Sequence, residues 1–518
     1  MILFSLAAAM LLCACNAPVV SDPTEPTYVQ ENLITKQASA DATKIQLSDE
    51  GITVDGGAIS TDESAAVYTA NDIVFYLEGQ DFTYGEGTKE DEHSQQEASA
   101  HTVVHITKPG EYILSGKLSA GQIAVDLGED AKDDPTAVVT LVLSNLDITC
   151  TVAPAVIFYN VYECGTTNEE TATSEVDTAS AGANVIIADG SENNIRGSYV
   201  ARIYKSVELN EDKTEVIDSK KLHKYDGAFY SKMTMNIYGE KESTGKLNIY
   251  AENEGLDTEM HLTIFSGNMN IDSGNDGINT NEDNISVTRI CGGVHYIAVN
   301  GSTGEGDGID SNGWLIIDGG MLFVSACGFS ADSGIDADKG VYINGGFVAA
   351  SGNMLDTLEG SQTYAVFTFP QRQKGGSDYD LKNETHGTFL TCSPKNDFQY
   401  LIISSPHLTP DNYTLWREAT QLQGSKGMGQ MNPPGGNGPS RPDGTPPEGM
   451  GNPGATPPAP PEGEMPNGTP PAPPVDGMPN DRPDGMGGFP GGNQGQPQET
   501  SSVFQITEGA NFFQIATV

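Results

Sequence analysis

The chain has 518 residues, with 71 acidic against 26 basic side chains and a formal net charge of −45. That excess argues against a nucleic-acid partner, because phosphate neutralisation needs clustered Lys and Arg, and it demands counter-ions or dispersal of charge before the chain can compact. With 37% hydrophobic residues, one globular core along the whole length is disfavoured, whereas an elongated all-β stack is not.

The first element is an apolar run from Ile2 to Leu12, too short to span a bilayer, followed by Cys13-Ala14-Cys15. The small residue before a Cys at the end of such a run resembles a bacterial lipoprotein processing site. The resemblance implies a signal segment over residues 1–15, cleavage before Cys15 and lipidation of its thiol. It also implies export and a lipid anchor in the membrane at the bacterial cell surface. No Lys or Arg precedes the run, and a plain signal peptide is the alternative. Residues 16–65 are polar and read as a flexible tether.

From Val67 the pattern changes to short apolar or alternating runs bounded by Gly, Asn and Asp, which read as short strands. Ala137–Leu143 and Asn184–Ile187 are examples. Cys150 and Cys164 are spaced so that they can close a loop, which the sequence does not decide. A degenerate repeat follows over residues 222–352. Its first element is Glu254-Gly255-Leu256-Asp257, Asp276-Gly277-Ile278-Asn279, Asp307-Gly308-Ile309-Asp310 and Ser333-Gly334-Ile335-Asp336. Its second is Ile290-Cys291-Gly292-Gly293, Ile317-Asp318-Gly319-Gly320 and Ile343-Asn344-Gly345-Gly346. The first-element glycines are 22, 31 and 26 residues apart, a solenoid spacing. The expectation is a parallel β-helix over residues 66–423. In each coil a positive-φ glycine turns the corner, the next aliphatic residue stacks inward, and the following Asp or Asn points outward. Each coil exposes its apolar stack until a neighbour covers it, so the coils must pile up.

Leu401–Ser405 is the clearest of the last strands. Residues 424–498 are rich in Pro, Gly and Met, cannot bury a core, and read as a disordered linker. Residues 499–518 return to strand character through Phe504, Ile506, Phe512, Phe513 and Ile515. They are expected to pair back onto the last coil.

Stacked coils place equivalent residues about 4.8 Å apart. Two carboxylates at that spacing repel by about 1 to 3.5 kcal/mol for effective dielectrics of 80 to 20. Calcium relieves such repulsion because it accepts hard oxygen ligands in flexible geometry. The candidate ligands are Glu254, Asp257, Asp272, Asp276, Asn279, Asp307, Asp310 and Asp336. The plainer alternative is that these Asp and Asn residues only form turns.

The Gly-Ile-Asp corners, the Ile-x-Gly-Gly turns and the closing Ser404-Ser405-Pro406 over residues 66–417 resemble the clostridial family of carbohydrate-binding, calcium-binding right-handed parallel β-helices, which is similar to pectate lyases. The resemblance implies binding of acidic plant polysaccharide (polygalacturonate) and of cellulose, with calcium in the helix and no need for catalysis. Trp314, Tyr250 and Tyr296 are the aromatic candidates for stacking on sugar rings. A pectate lyase is the competing expectation. It needs a Lys or Arg base beside calcium, and Lys241, Lys246, Arg289 and Lys339 are the candidates. A structural stalk or adhesin is the third.

Overall fold

A computed structural model describes residues 33–79, 91–210, 212–214, 216–383, 387–427 and 500–516. The lipidation site expected at Cys15, and all but the first four residues of the linker expected over 424–498, lie outside them. The chain separates into one unit of Met1–Gln430 with Glu499–Val518 and a second of Met431–Gln498.

Between residues 102 and 359 the described fold is all-β, and its strands pair mainly in parallel. Each repeat of the sequence visits three ladders in the same order. The first ladder runs through Ala183–Ile187, Met235–Gly239, Leu262–Ile264, Val287–Ile290, Trp314–Ile317 and Val341–Ile343. The second runs through Glu192–Gly197, Lys246–Ala251, Asn268–Ser273, Val294–Val299, Met321–Ser325 and Phe347–Gly352. The third runs through Val156–Asn160, Gly227–Ser231, Glu254–Thr258, Ile278–Thr280 and Ile309–Ser311, with a single bridge onward from Ile309 to Ile335. The first two belong to one 22-stranded sheet and the third to an 8-stranded sheet.

The repeat's aliphatic position explains this order. Leu256, Ile278, Ile309 and Ile335 stack in register and are fully buried. Burying one such side chain contributes about 1.5–3 kcal/mol. The glycine beside each is needed for space rather than for a left-handed backbone, which corrects the sequence expectation. A Cβ on Gly277 would lie 2.2 Å from Ile297 Cγ2, and one on Gly308 2.1 Å from Val324 Cγ1. The second ladder therefore presses its aliphatic side chains onto bare backbone. Positive φ belongs instead to the second glycine of the Gly-Gly corners, at Gly293, Gly320 and Gly346.

The tether expectation for residues 16–65 does not hold from residue 34 onward. Thr43–Leu47 pairs in parallel with Gly110–Leu118 and buries Ile45 and Leu47. Before it, the chain lies on the outer face of the first ladder. Lys36 N–H donates to Gly239 O at 3.2 Å, and Ser266 Oγ donates to Ile34 O at 2.6 Å. Alternating Ile45 and Leu47 sit among polar neighbours, so overall polarity masked a strand of only five residues.

After Tyr364 the pairing becomes antiparallel. Phe398–Ser404 lies between Phe347–Gly352 and Tyr364–Gln373, antiparallel to both. Ala510–Ile515 adds to Tyr364–Gln373 in parallel. A five-stranded antiparallel sheet with Tyr379–Asn383 and Asp411–Arg417 at its centre packs a second core around Phe367, Phe369, Tyr379, Phe398, Tyr413 and Phe504. Cys150, Cys164, Cys291, Cys327 and Cys392 are free thiols.

Candidate functional site

The third ladder carries two polar columns flanking the buried aliphatic stack. Backbone hydrogen bonds from Gly255 N to Asp276 O, from Gly277 N to Asp307 O and from Gly308 N to Ser333 O join successive repeats at 2.9, 3.1 and 3.0 Å. They set Glu254, Asp276, Asp307 and Ser333 in one column. The register Asp257–Asn279–Asp310, continued by the Ile309–Ile335 bridge, sets Asp257, Asn279, Asp310 and Asp336 in the other.

The acids do not all point into open water as strand alternation predicts. Glu254, Asp257, Asn279 and Asp307 are buried, and Asp276, Asp310 and Asp336 are half-buried. The bend at each glycine turns both glycine and aliphatic residue inward. The polar residues on either side are thereby brought to the same outer surface, close to one another.

At the C-terminal end of the columns the carboxylates converge. One oxygen from each of Asp307, Asp310 and Asp336 lies within 4.8 Å of the others. Burial, then the charges of Asp336, Asp276 and Asp310, hold Asp307 well above the usual carboxylate range. Burial, then Asp310 and Glu254, do the same to Asp276. Asp336 is pushed up to about 8, by burial first and then by Asp310 and Asp356. Backbone donors offset part of this. Asp307 N–H gives 2.6 Å to Asp276 Oδ1, and Ser333 N–H gives 2.5 Å to Asp307 Oδ1. Ionising these carboxylates together is costly in the absence of a cation between them.

Asn279 sharpens that point. Its Nδ2 donates to Glu254 Oε1 at 3.0 Å, while its buried Oδ1 has no hydrogen-bond partner among the described residues. A buried oxygen left so, beside crowded carboxylates, is what a hard cation would use. The donor set is all oxygen, which fits calcium.

Asp272 does not belong to this set, which corrects the sequence assignment. It sits exposed on the outer face of the second ladder and accepts from Asn300 Nδ2 at 2.7 Å. Its proximity to Asp276 in sequence spans a corner that separates the two side chains. Asp356 was not singled out from the sequence, because it lies beyond the last Gly-Ile-Asp copy. It acts on Asp336, and its own carboxyl is raised by burial.

The aromatic candidates divide between ladders. Trp314 begins a first-ladder strand and is half-buried. Tyr250 and Tyr296 project from the second ladder and are 44% and 41% exposed. Beside the Tyr250 column runs an amide ladder, with Asn248 Nδ2 donating to Asn194 Oδ1 at 3.0 Å and Asn270 Nδ2 to Asn248 Oδ1 at 2.7 Å. Tyr296 continues the asparagine column and stacks on Phe323 at 4.9 Å. Arg196 lies 5.1 Å from the Tyr250 ring centre and is fixed by Asp147 at 2.7 Å. The face is polar and aromatic, with side chains held in place by their neighbours. The sequence identified the tyrosines but not the asparagine column, whose signal was an Asn recurring at Asn194, Asn248 and Asn270 two residues before Arg196, Tyr250 and Asp272.

Among the four basic candidates, Arg289 is held by Asp318 at 2.9 Å and Glu175 at 3.4 Å, and Lys241 pairs with Glu242 at 2.8 Å. Lys246 and Lys339 are exposed. His261 and His295 are fully buried and pushed down to about 4 by desolvation, which keeps them neutral parts of the core.

A family model described as carbohydrate-binding domain-containing protein matches residues 100–366, just over half of the chain. The chain belongs to this family. The matched region holds the parallel ladders, the acid cluster and the Tyr250–Tyr296 face. Among solved structures, the polysaccharide lyase-like protein from C. thermocellum, in a gadolinium derivative, is similar at 20% identity and a TM-score of 0.37. The match covers 62% of this chain and 94% of that one. No curated protein matches the chain.

Proposed function

We propose that this protein binds acidic plant cell-wall polysaccharide of the polygalacturonate type in a calcium-dependent manner, without catalysis, from the bacterial cell surface. In this reading the three ladders are the sides of a right-handed parallel β-helix, and a lipid on Cys15 anchors it. The family membership supports a carbohydrate partner. The observation that carries the calcium is the convergence of Asp307, Asp310 and Asp336, with Asp276 and Asn279 beside them.

Calcium at this cluster would neutralise carboxylates that otherwise repel and would tie successive coils together. An ion with protein ligands on one side can also take a uronate carboxylate on the other, which lets an acidic protein hold an acidic polymer. The Tyr250–Tyr296 face, with its asparagine column, offers ring stacking and amide hydrogen bonds to neutral sugar hydroxyls, the chemistry that cellulose would need.

Pull-down on insoluble polygalacturonate and on cellulose, in calcium and in chelator, tests the reading. Retention on polygalacturonate in calcium and release by chelator is the expected result. Calcium-independent retention, or growth of unsaturated-uronate absorbance from soluble polymer, would overturn it.

A further inference from the structure

A cavity of about 320 Å³ opens where the antiparallel C-terminal strands meet, outside the region matched by the family model. Its walls carry Arg372, Lys374 and Arg417, and no Asp or Glu lines it. In a chain with 26 basic residues against 71 acidic ones, three cations around one cavity without a lining carboxylate is a departure that composition does not predict.

Two strands far apart in sequence bring these cations together. Arg372 lies in a break of the pairing between Tyr364–Gln373 and Phe398–Ser404. There the partners step from Thr368–Tyr400 to Gln373–Phe398, five residues on one strand against two on the other. Such bulges re-aim side chains. Lys374 follows immediately, and Arg417 ends the strand Asp411–Arg417. Arg372 is oriented by neutral oxygens, giving Nη1 to Gly328 O at 3.2 Å and Nη2 to Ser330 O at 2.8 Å. Arg417 gives Nη1 to Gln373 Oε1 at 2.9 Å. Among the described residues neither guanidinium forms an ion pair. Lys374 alone does, with Asp397 at 2.5 Å. Glu418, next to Arg417 in sequence, accepts from Asp378 N–H at 3.0 Å. The floor is apolar, formed by buried Phe369, Leu422 and Ile515.

We propose that this cavity takes a uronic-acid residue of an acidic polysaccharide, its carboxylate against Arg372 and Arg417 and its ring over the apolar floor. Guanidinium groups suit planar carboxylates because two parallel N–H donors meet two oxygens. Both are oriented by carbonyl oxygens, and Asp397, the acid that feels Arg372, is engaged first by Lys374. The choice of a uronate rests on the acidic-polysaccharide reading above. The location does not, because the cavity is distinct from the acid columns and needs no metal.

The test uses the full chain in chelator, which removes calcium bridging, with a galacturonate trisaccharide titrated by calorimetry. A neutral glucose trisaccharide and inorganic phosphate serve as comparison probes. Binding of the galacturonate probe is expected, weakened at least tenfold in Arg372→Gln/Arg417→Gln and partly kept in Arg417→Lys. Because Arg372 also holds two backbone carbonyls, melting of each variant is measured alongside, and Arg417→Gln alone must show the loss. No binding in chelator, unchanged binding in Arg417→Gln, or equal binding of the neutral sugar or of phosphate would overturn the proposal. Calcium-dependent retention of the variants on the insoluble polymer would leave the wider function standing even then.

Discussion

Residues 102–359 and the C-terminal strands after Tyr364 solve the same problem, burial of a β-sheet face, in opposite ways. The parallel region stacks aliphatic side chains one per repeat, from Leu256 through Ile335, and presses Ile297 and Val324 of the second ladder against the glycines beside that stack. The antiparallel region fills its core with crossed aromatic rings, such as Phe369 on Phe398 at 5.5 Å and 87°. The charges follow the architecture. In-register parallel pairing forces like residues into columns, so its acids crowd together. The antiparallel region has no repeat, so unlike elements meet, and three cations gather around one cavity. Repetition concentrates one charge, and irregular topology can place the other.

If the two cores are distinct, the largest effect should come from removing a ring in the second. Phe367→Ala, at a fully buried position, should cost about 3–5 kcal/mol. It should lower the melting of the C-terminal strands while leaving the calcium-induced shift of the parallel region in place. Loss of that shift would mean the regions unfold as one.

Calcium removal should lower the melting temperature by several degrees, consistent with linkage of a site held well above its dissociation constant. The pH dependence has a definite sign. The folded-state carboxyls of Asp276, Asp307 and Asp336 are raised above the ordinary 3.8, Asp336 to about 8. The folded state therefore binds more protons, and stability in chelator should fall as pH rises from about 4 towards 8. Calcium should flatten that decline and have little effect below pH 4. Asp307→Asn/Asp310→Asn should abolish the calcium shift. In chelator it should melt above the unsubstituted protein at pH 8, because it removes repulsion. A lower melting point under both conditions would show those acids to be ordinary structural groups.

The stacking itself can be probed at Gly308. Ala there would place Cβ 2.1 Å from Val324 Cγ1 and 2.4 Å from Gly334 O. It should cost about 1–3 kcal/mol. The control is Gly376 in the antiparallel region, at φ +85 with nothing within 4 Å of the added Cβ. Gly376→Ala should cost about 1–2 kcal/mol from backbone strain alone. The smallest effect belongs to the Tyr250–Tyr296 face. Tyr250→Ala and Tyr296→Ala should each weaken cellulose retention by a few-fold, equivalent to about 0.5–1.5 kcal/mol of ring contact. Both should melt within about 0.5 kcal/mol of the unsubstituted protein.

The sequence by itself determined the all-β class, the register of the Gly-aliphatic-polar repeat, and the acids and amides Glu254, Asp257, Asp276, Asn279, Asp307, Asp310 and Asp336 that the columns bring together. That information is local and repeats, so a one-dimensional pattern carries it. It also marked Tyr250 and Tyr296, whose neighbours in the ladder are set by the same register. What it could not decide was direction and encounter. Whether Asp257 is buried, whether Asp272 turns away across a corner, and whether Thr43–Leu47 joins a sheet all depend on backbone bends and on partners far along the chain. The meeting of Arg372, Lys374 and Arg417 belongs to the same class. They come from strands with no common period, and only the packing of the antiparallel region puts them at one cavity.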